Sequence, residues 1–347
     1  MRGQPERPTL DQVAAHAGVS RATVSRVVNG SSTVDEALAT QVRRAVTDLG
    51  YVPNRAARSL MTRRSETVAL VAAESTTRVF GDPFFAAVTR GAGQELARSG
   101  LHLVLSMVQS EEDLERLAGF VRGGHLDGIL VISEHDSRDV VGVAAGSGLP
   151  VVVGGRPMTP HGEVPYVDND NVTGGRIAAG HLLARGCRRV ASVAGPQDMS
   201  AGVDRLIGFR EGLGGAFDPD LVEVGDFTTT GGAAATERLL ARRPNLDGIV
   251  VANDLMALGA LTVLRGRGLE VPRDVAVVGF DDADVAAVAA PPLTTVRQRT
   301  LDQGRLMAQY LLTRLGREVA EPMPELHGRH DGPGIVLGVE LVARESA

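Results

Sequence analysis

The sequence predicts a small all-α helix-turn-helix domain at the amino end and a larger α/β body built on parallel sheets. Three observations carry this. Residues 9–30 read as two short helices around a tight turn. From Glu66 onward, short apolar runs alternate with amphipathic stretches. One strand pattern also occurs twice, as Asp127-Gly128-Ile129-Leu130-Val131 and as Asp247-Gly248-Ile249-Val250-Val251, which divides the body into two similar lobes.

In the head, Thr9 followed by Gln12 forms a capping-box pattern for a first helix. Leu10, Val13, Ala14 and Ala17 recur at helical spacing and give that helix one apolar stripe. Gly18 permits a turn that a side chain would resist, and Ser20 is a second N-cap. Val24, Val27 and Val28 then face inward, while Arg21, Ala22, Ser25, Arg26 and Asn29 lie opposite. A helix that offers donors outward in a row, opposite its apolar face, is what reading a DNA major groove requires. A third helix, capped by Thr33 or Asp35, buries Val42, Ala45, Val46 and Leu49.

In the body, strands are predicted at Thr67–Ala73, His102–Val108, Gly128–Ser133 and Pro150–Gly154. A second set follows at Arg189–Ala194, Leu221–Gly225, Gly248–Ala252 and Val275–Gly279. Helices fall between them at Phe85–Arg98, Asp113–Arg122, Gly175–Arg185, Asp204–Leu213 and Leu255–Arg265. Continuously apolar strands separated by amphipathic helices imply parallel sheets covered on both faces. Ligands of such sheets bind at the carboxyl ends of the strands.

Charge is divided along the chain. Residues 1–64 hold ten Arg against five acidic residues, whereas the remainder holds 26 Arg against 37, within a formal net charge of −6. A basic arm on an acidic body suits a phosphate backbone at one end only. The polar start, with Arg2, Glu6 and Arg7, does not resemble a signal peptide. The uncharged stretch from Val140 to Gly155 is too short and too interrupted by Gly and Pro to span a bilayer. The single cysteine, Cys187, excludes a disulfide framework within the chain and reads as a packing residue. A cytoplasmic protein without membrane contact is expected. No Ser-His-Asp order, paired acid and base or phosphate loop stands out, so catalysis is not expected. Gly91-Ala92-Gly93 lacks the third glycine of a dinucleotide site. His327, His330 and Asp331 sit in a Gly/Pro-rich stretch read as a lengthened surface loop, so neither cofactor nor metal is expected.

Taken in order, these segments resemble the LacI/GalR family of bacterial transcription repressors over nearly the whole chain. The resemblance rests on Thr9-Leu10-Asp11-Gln12-Val13-Ala14, Val19-Ser20, Thr23-Val24-Ser25-Arg26-Val27-Val28-Asn29 and the hinge-like Gly50-Tyr51-Val52-Pro53-Asn54-Arg55-Ala56-Ala57-Arg58-Ser59-Leu60. It implies a helix-turn-helix domain over 1–50, a hinge helix and linker over 51–64, and an effector-binding and dimerisation body over 65–347. The body is then two-lobed, like the type I periplasmic sugar-binding proteins. Its N-lobe spans about 65–164 and 295–322 and its C-lobe about 165–294 and 323–347, with crossings near Pro165, Leu293–Gln298 and Glu321–His330.

The resemblance also implies partners and sites. Double-stranded palindromic operator DNA would be read by Arg21, Ala22 and Arg26, with Ser20, Thr23, Ser25 and Asn29 on phosphates. Asn54, Arg58 and a wedge residue, Leu60, would follow from the hinge. A small-molecule effector would meet Asp82, Phe84, Phe85, Arg205, Asn253 and Asp281. Met199, six residues before Arg205, departs from members with a polar or charged contact there and points to a neutral sugar. A homodimer is expected, with the apolar faces of Phe85–Leu96 and Leu255–Val263 as candidate contacts. With no heptad pattern in the closing Leu341–Ala347, a dimer is expected in place of a tetramer. The competing readings are a sugar-binding receptor without a transcriptional role, and an activator in place of a repressor.

Overall fold

The computed structural model describes residues 8–28, 33–51, 64–323 and 328–347. Two units divide at Ser65–Glu66. The first holds the helices Leu10–His16, Arg21–Val28 and Glu36–Leu49. Thr9 N–H donates to Gln12 Oε1 at 2.7 Å and Gln12 N–H donates to Thr9 Oγ1 at 3.3 Å, completing the capping box. Gly18 turns the chain at φ +60°. Ser20 Oγ then accepts the Thr23 N–H at 3.1 Å. Asp35 caps the third helix, accepting from Ala37 N at 2.9 Å and Leu38 N at 3.3 Å. Val13, Ala17, Val24, Val42, Ala45 and Tyr51 form the small core.

The body, Glu66–Ala347, contains two sheets with the same internal order. In the first, β1 (Thr67–Ala72), β2 (His102–Met107), β3 (Gly128–Ile132), β4 (Val151–Gly154) and β5 (Tyr166–Asn169) run in the order 2-1-3-4-5, all parallel. In the second, β6 (Val190–Ala194), β7 (Val222–Val224), β8 (Gly248–Val251), β9 (Ala276–Asp281) and β10 (Thr294–Arg297) repeat that order. The duplicated Asp-Gly pattern marks equivalent strands, β3 and β8. Asp127 accepts the Glu66 N–H at 2.9 Å and Asp247 accepts the Arg189 N–H at 2.7 Å, so each aspartate ties down the backbone ahead of its lobe's first strand. Apolar clusters fill both faces of each sheet, as covered parallel sheets require.

The last strands extend each sheet. β11 (Gly328–Asp331) and β12 (Gly334–Leu337) form an antiparallel hairpin beside β5, and β13 (Glu340–Val342) runs antiparallel to β10. The segment expected to be a surface loop before the last strand is therefore a sheet-extending hairpin, with Gly332 at φ +55° in its turn. Two lobe boundaries move accordingly. The first crossing comes after Asn169, not near Pro165, because Tyr166–Asn169 pairs with β4. The third comes between Leu337 and Glu340, not at Glu321–His330, because the hairpin belongs to the first sheet. The second comes after Arg297.

Within each lobe two helices meet almost backbone to backbone. A Cβ on Gly91 would lie 2.2 Å from the Leu301 carbonyl, and one on Gly208 would lie 1.9 Å from the Val172 carbonyl. The helix Pro83–Arg98 thus lies on Thr300–Arg314, and Asn171–Ala184 lies on Ser200–Leu213. The apolar faces expected at a dimer contact are occupied inside the lobes. Phe85, Val88, Ala92 and Leu96 join the first lobe's core, and Gly259 abuts Thr229 of a neighbouring helix. No helix among the described residues is long and apolar enough to cross a membrane.

Candidate functional site

On the second head helix, Arg21, Ala22 and Arg26 are exposed, Thr23 and Ser25 are half-buried, and Val24 is fully buried beneath them. Ser20 is exposed at the cap, its hydroxyl 2.9 Å from that of Thr23. Arg21 Nε lies 3.7 Å from the Asp11 carboxylate in an exposed pair, which solvent keeps weak. Asn29, Asn54, Arg58 and Leu60 lie outside the described residues.

In the body a cavity opens between the lobes at the carboxyl ends of their strands, where doubly wound sheets place ligands. Asp82, Phe84, Arg205, Asn253 and Asp281 all line it. Phe85 does not. It is packed in the first lobe's core, edge-on to Phe84 at 5.3 Å, because successive helical positions point about 100° apart.

Arg205 reaches the cavity from the helix Ser200–Leu213, held by the glycine contact at Gly208. Its Nε donates to Asn171 Oδ1 at 2.9 Å, Nη1 donates to the Ala252 carbonyl and lies 3.4 Å from Asp281 Oδ1, and the guanidinium stacks 3.8 Å from the Phe280 ring centre. Asp281 sits at φ +110° at the end of β9 and accepts from Gln298 Nε2 at 2.7 Å. That backbone is costly for a residue with a side chain. Burial pushes the Asp281 carboxyl well above the usual range, and the Arg205 charge offsets only part of that. Asp254, buried where it accepts from Thr295 Oγ1 at 2.6 Å and from Ala283 N–H at 2.8 Å, is pushed up to about 7, first by burial. Asn253 is occupied at both ends: it donates to the Phe227 carbonyl at 3.0 Å and caps a helix through the Met256 N–H at 2.9 Å. Asp82 likewise caps the helix of Phe84 and Phe85, accepting the Phe84 N–H at 3.0 Å, and burial raises its pKa.

Polar contacts join the lobes across the cavity. Arg156 after β4 makes a two-pronged pair with Asp204, at 2.7 and 2.9 Å. His135 after β3 bridges Glu74 at 3.0 Å and Asp198 at 2.8 Å. The Glu74 hydrogen bond raises the His135 pKa more than burial lowers it. For Glu74, burial raises the pKa, but His135 and Arg78 outweigh it and hold the carboxyl low.

Sequence reasoning did not single out Arg78, Ser133, Glu134, Asp168, Asn169, Asn171, Phe227, Gln298 or Gln303, all of which line the cavity. Several sit at strand ends, the signal that found Asn253 and Asp281. Asp168 and Asn169 end β5 and Gln298 follows β10, two strands of four residues each. Asp168 is pushed up to about 6, chiefly by burial. Of the residues weighed and set aside as metal ligands, His327 lies outside the described residues, while Asp331 accepts the Tyr166 hydroxyl at 2.8 Å. The one grouping of potential metal-ligand side chains among the described residues is instead Glu134, Asp139 and His161, beside the cavity.

Comparison with known proteins places both units. The family described as bacterial regulatory proteins, lacI family, matches residues 9–54, and the periplasmic binding protein-like domain matches 179–347. The HTH-type transcriptional regulator CelR of Thermobifida fusca is 48% identical over 344 residues, 98% of each chain. A solved CelR–cellobiose complex is 46% identical, with a TM-score of 0.75 over 98% of this chain and 100% of that one. The lac repressor dimer bound to operator and the anti-inducer ONPF is 28% identical, with a TM-score of 0.84 over 98% and 99%. The family's head motif, the two-lobed body and this full-length identity agree, and the chain is a transcriptional regulator belonging to the LacI family.

Proposed function

We propose that this protein is a repressor that binds a palindromic operator as a homodimer and changes its grip on DNA when a neutral sugar of the cellobiose class fills the inter-lobe cavity. The observation that carries this is the cavity wall. Both lobes contribute to it, and it combines an Arg donor, carboxylate and amide acceptors and the Phe84 and Phe227 rings. Sugars require that mixture of hydroxyl partners and an apolar face. Met199 lines the cavity at the position where an anionic effector would need a polar contact. The likeness to a CelR–cellobiose complex favours a disaccharide.

On DNA, Arg21, Ala22 and Arg26 face base edges, while Ser20, Thr23, Ser25 and Asn29 position the helix on phosphates. Asn54, Arg58 and Leu60, in the segment read as a hinge, add contacts to the operator, Leu60 as a minor-groove wedge. Closing the cleft turns one lobe against the other and changes the spacing of the paired hinges. Titration calorimetry with cellobiose, glucose and glucose 6-phosphate, paired with operator-binding anisotropy, tests the reading. Cellobiose is expected to bind and to shift operator affinity. Binding of the phosphate ester alone, or sugar binding without any change on DNA, overturns it.

A further inference from the structure

Among the described residues, three buried side-chain polar atoms have no hydrogen-bond partner: Arg78 Nε, Glu134 Oε2 and His181 Nε2. Two of the three belong to residues lining the inter-lobe cavity. One is a donor and the other an acceptor. Folded proteins leave few such atoms, and each one asks for a reason.

The remaining polar wall is engaged with itself. Arg205 is bound to Asn171, Ala252 and Asp281, and Gln303 is bound to Asn169 and to the Val167 carbonyl. Arg78 differs. Its Nη1 pairs with Glu74 and lies 3.9 Å from Met199 Sδ, and its guanidinium sits 4.9 Å from the Phe227 ring centre and 5.9 Å from that of Phe85. The planar group is thereby fixed in place with its Nε–H edge unused. Glu134 follows β3 with its side chain only 9% exposed, and His161 Nε2 is 3.8 Å from its Oε1. Burial, with the Asp139 and Asp136 charges, lifts its pKa to about 7, as expected of a carboxylate lacking adequate partners.

Resting on the effector reading above, we infer that Arg78 and Glu134 form a specificity pair for the sugar, Arg78 Nε–H donating to one ligand hydroxyl and Glu134 accepting from another. The two atoms have almost no accessible surface in the unliganded protein, so two hydroxyls that enter as the lobes adjust replace nothing and satisfy one atom each. The pair discriminates in chemistry. A hydroxyl serves as acceptor for Arg78 and donor for Glu134, whereas a carboxylate or phosphate group at Glu134 meets a like charge.

The test is calorimetry of the full chain with cellobiose at pH 8, comparing the natural sequence with Glu134→Gln and Arg78→Lys, alongside thermal melting without sugar. Each variant is expected to weaken cellobiose binding by about tenfold or more, the loss of one hydrogen bond to a charged group. Glu134→Gln is expected to leave the sugar-free melting temperature unchanged or raised, since it removes a buried charge without a partner. A structural residue would lower it. Binding within twofold of the natural protein in either variant overturns the pair and leaves the effector reading standing. A lowered melting temperature in Glu134→Gln assigns that residue a structural role and overturns the inference. If the natural protein binds neither cellobiose nor glucose, the effector reading fails first and takes this inference with it.

Discussion

Arg205 is buried, and a buried guanidinium is tolerated only where its N–H groups find acceptors and its face finds a ring. Asn171, Ala252, Asp281 and Phe280 supply these. Lysine has one point of charge and no fork. Arg205→Lys is therefore expected to cost about 1–3 kcal/mol of sugar affinity by calorimetry, while operator affinity measured without sugar stays within error. In the head, Val24 anchors the second helix from below and Arg26 stands exposed on it. Arg26→Ala is expected to cost about 1–3 kcal/mol and relax choice at one base position in an operator-variant series. Equal weakening on every sequence would make Arg26 a phosphate contact. At this scale the sequence was legible where a polar residue ends a continuously apolar run, as at Asn253 and Asp281. It was not legible for Arg78, which reaches the cavity from a six-residue helix, nor for Phe85, whose ring turns to the core.

Secondary-structure elements are set by short signals at their ends and by glycine where they touch. Gly175 and Gly208 let the helices Asn171–Ala184 and Ser200–Leu213 approach until backbone meets backbone, and this contact positions Arg205. Gly208→Ala is expected to destabilise the protein by about 1–3 kcal/mol, as overpacking does, and to weaken sugar binding by moving Arg205. Gly180, inside the helix Asn171–Ala184, has nothing within 4 Å of the place a methyl group would take. Gly180→Ala is therefore expected to stabilise by roughly 0.5–1 kcal/mol in denaturant melts. A loss at Gly180 equal to that at Gly208 would show that the open space around Gly180 does not decide the effect, and would overturn the contact argument. The eight strands read from the sequence are present with ends moved by one or two residues, because continuous Val, Ile and Leu runs leave little choice. The helices Thr229–Arg242 and Thr300–Arg314 went unread. The first opens on Thr229-Thr230-Gly231-Gly232, which resembles a loop until its close packing on the helix of Met256 and Gly259 fixes it. β5 and β10 are four-residue runs that acquire strand character only from their neighbours. The hairpin of β11 and β12 likewise depends on pairing to β5, a long-range fact no local pattern carries.

The two lobes share a 2-1-3-4-5 sheet order, so their strand ends converge on one cavity and bring their acidic residues with them. Asp168 is pushed up to about 6 and Asp254 to about 7, both chiefly by burial. Unfolded, each would titrate near the ordinary value of about 3.9. A folded pKa above the unfolded one means the folded state holds its proton longer, so the stabilisation is complete below about pH 4 and is lost as pH rises through 6 to 7. His135 acts in the same direction. Its pKa is raised by Glu74 and Asp198, and the charged bridge between the lobes fades as the ring deprotonates. Glu74 opposes at the acid end, since its lowered carboxyl contributes above the usual carboxylate range and is lost as pH falls through its folded pKa. The groups facing His135 are therefore Glu74 and Asp198, with Arg78 behind Glu74. The sugar-free melting temperature is expected to be higher at pH 6 than at pH 8, and Asp254→Asn is expected to make that slope shallower. Melting curves at half-unit steps in one ionic strength check both. A melting temperature that rises from pH 6 to pH 8 would mean that surface charge outweighs the buried acids. An unchanged slope in Asp254→Asn would mean that Asp254 holds no extra proton in the folded state.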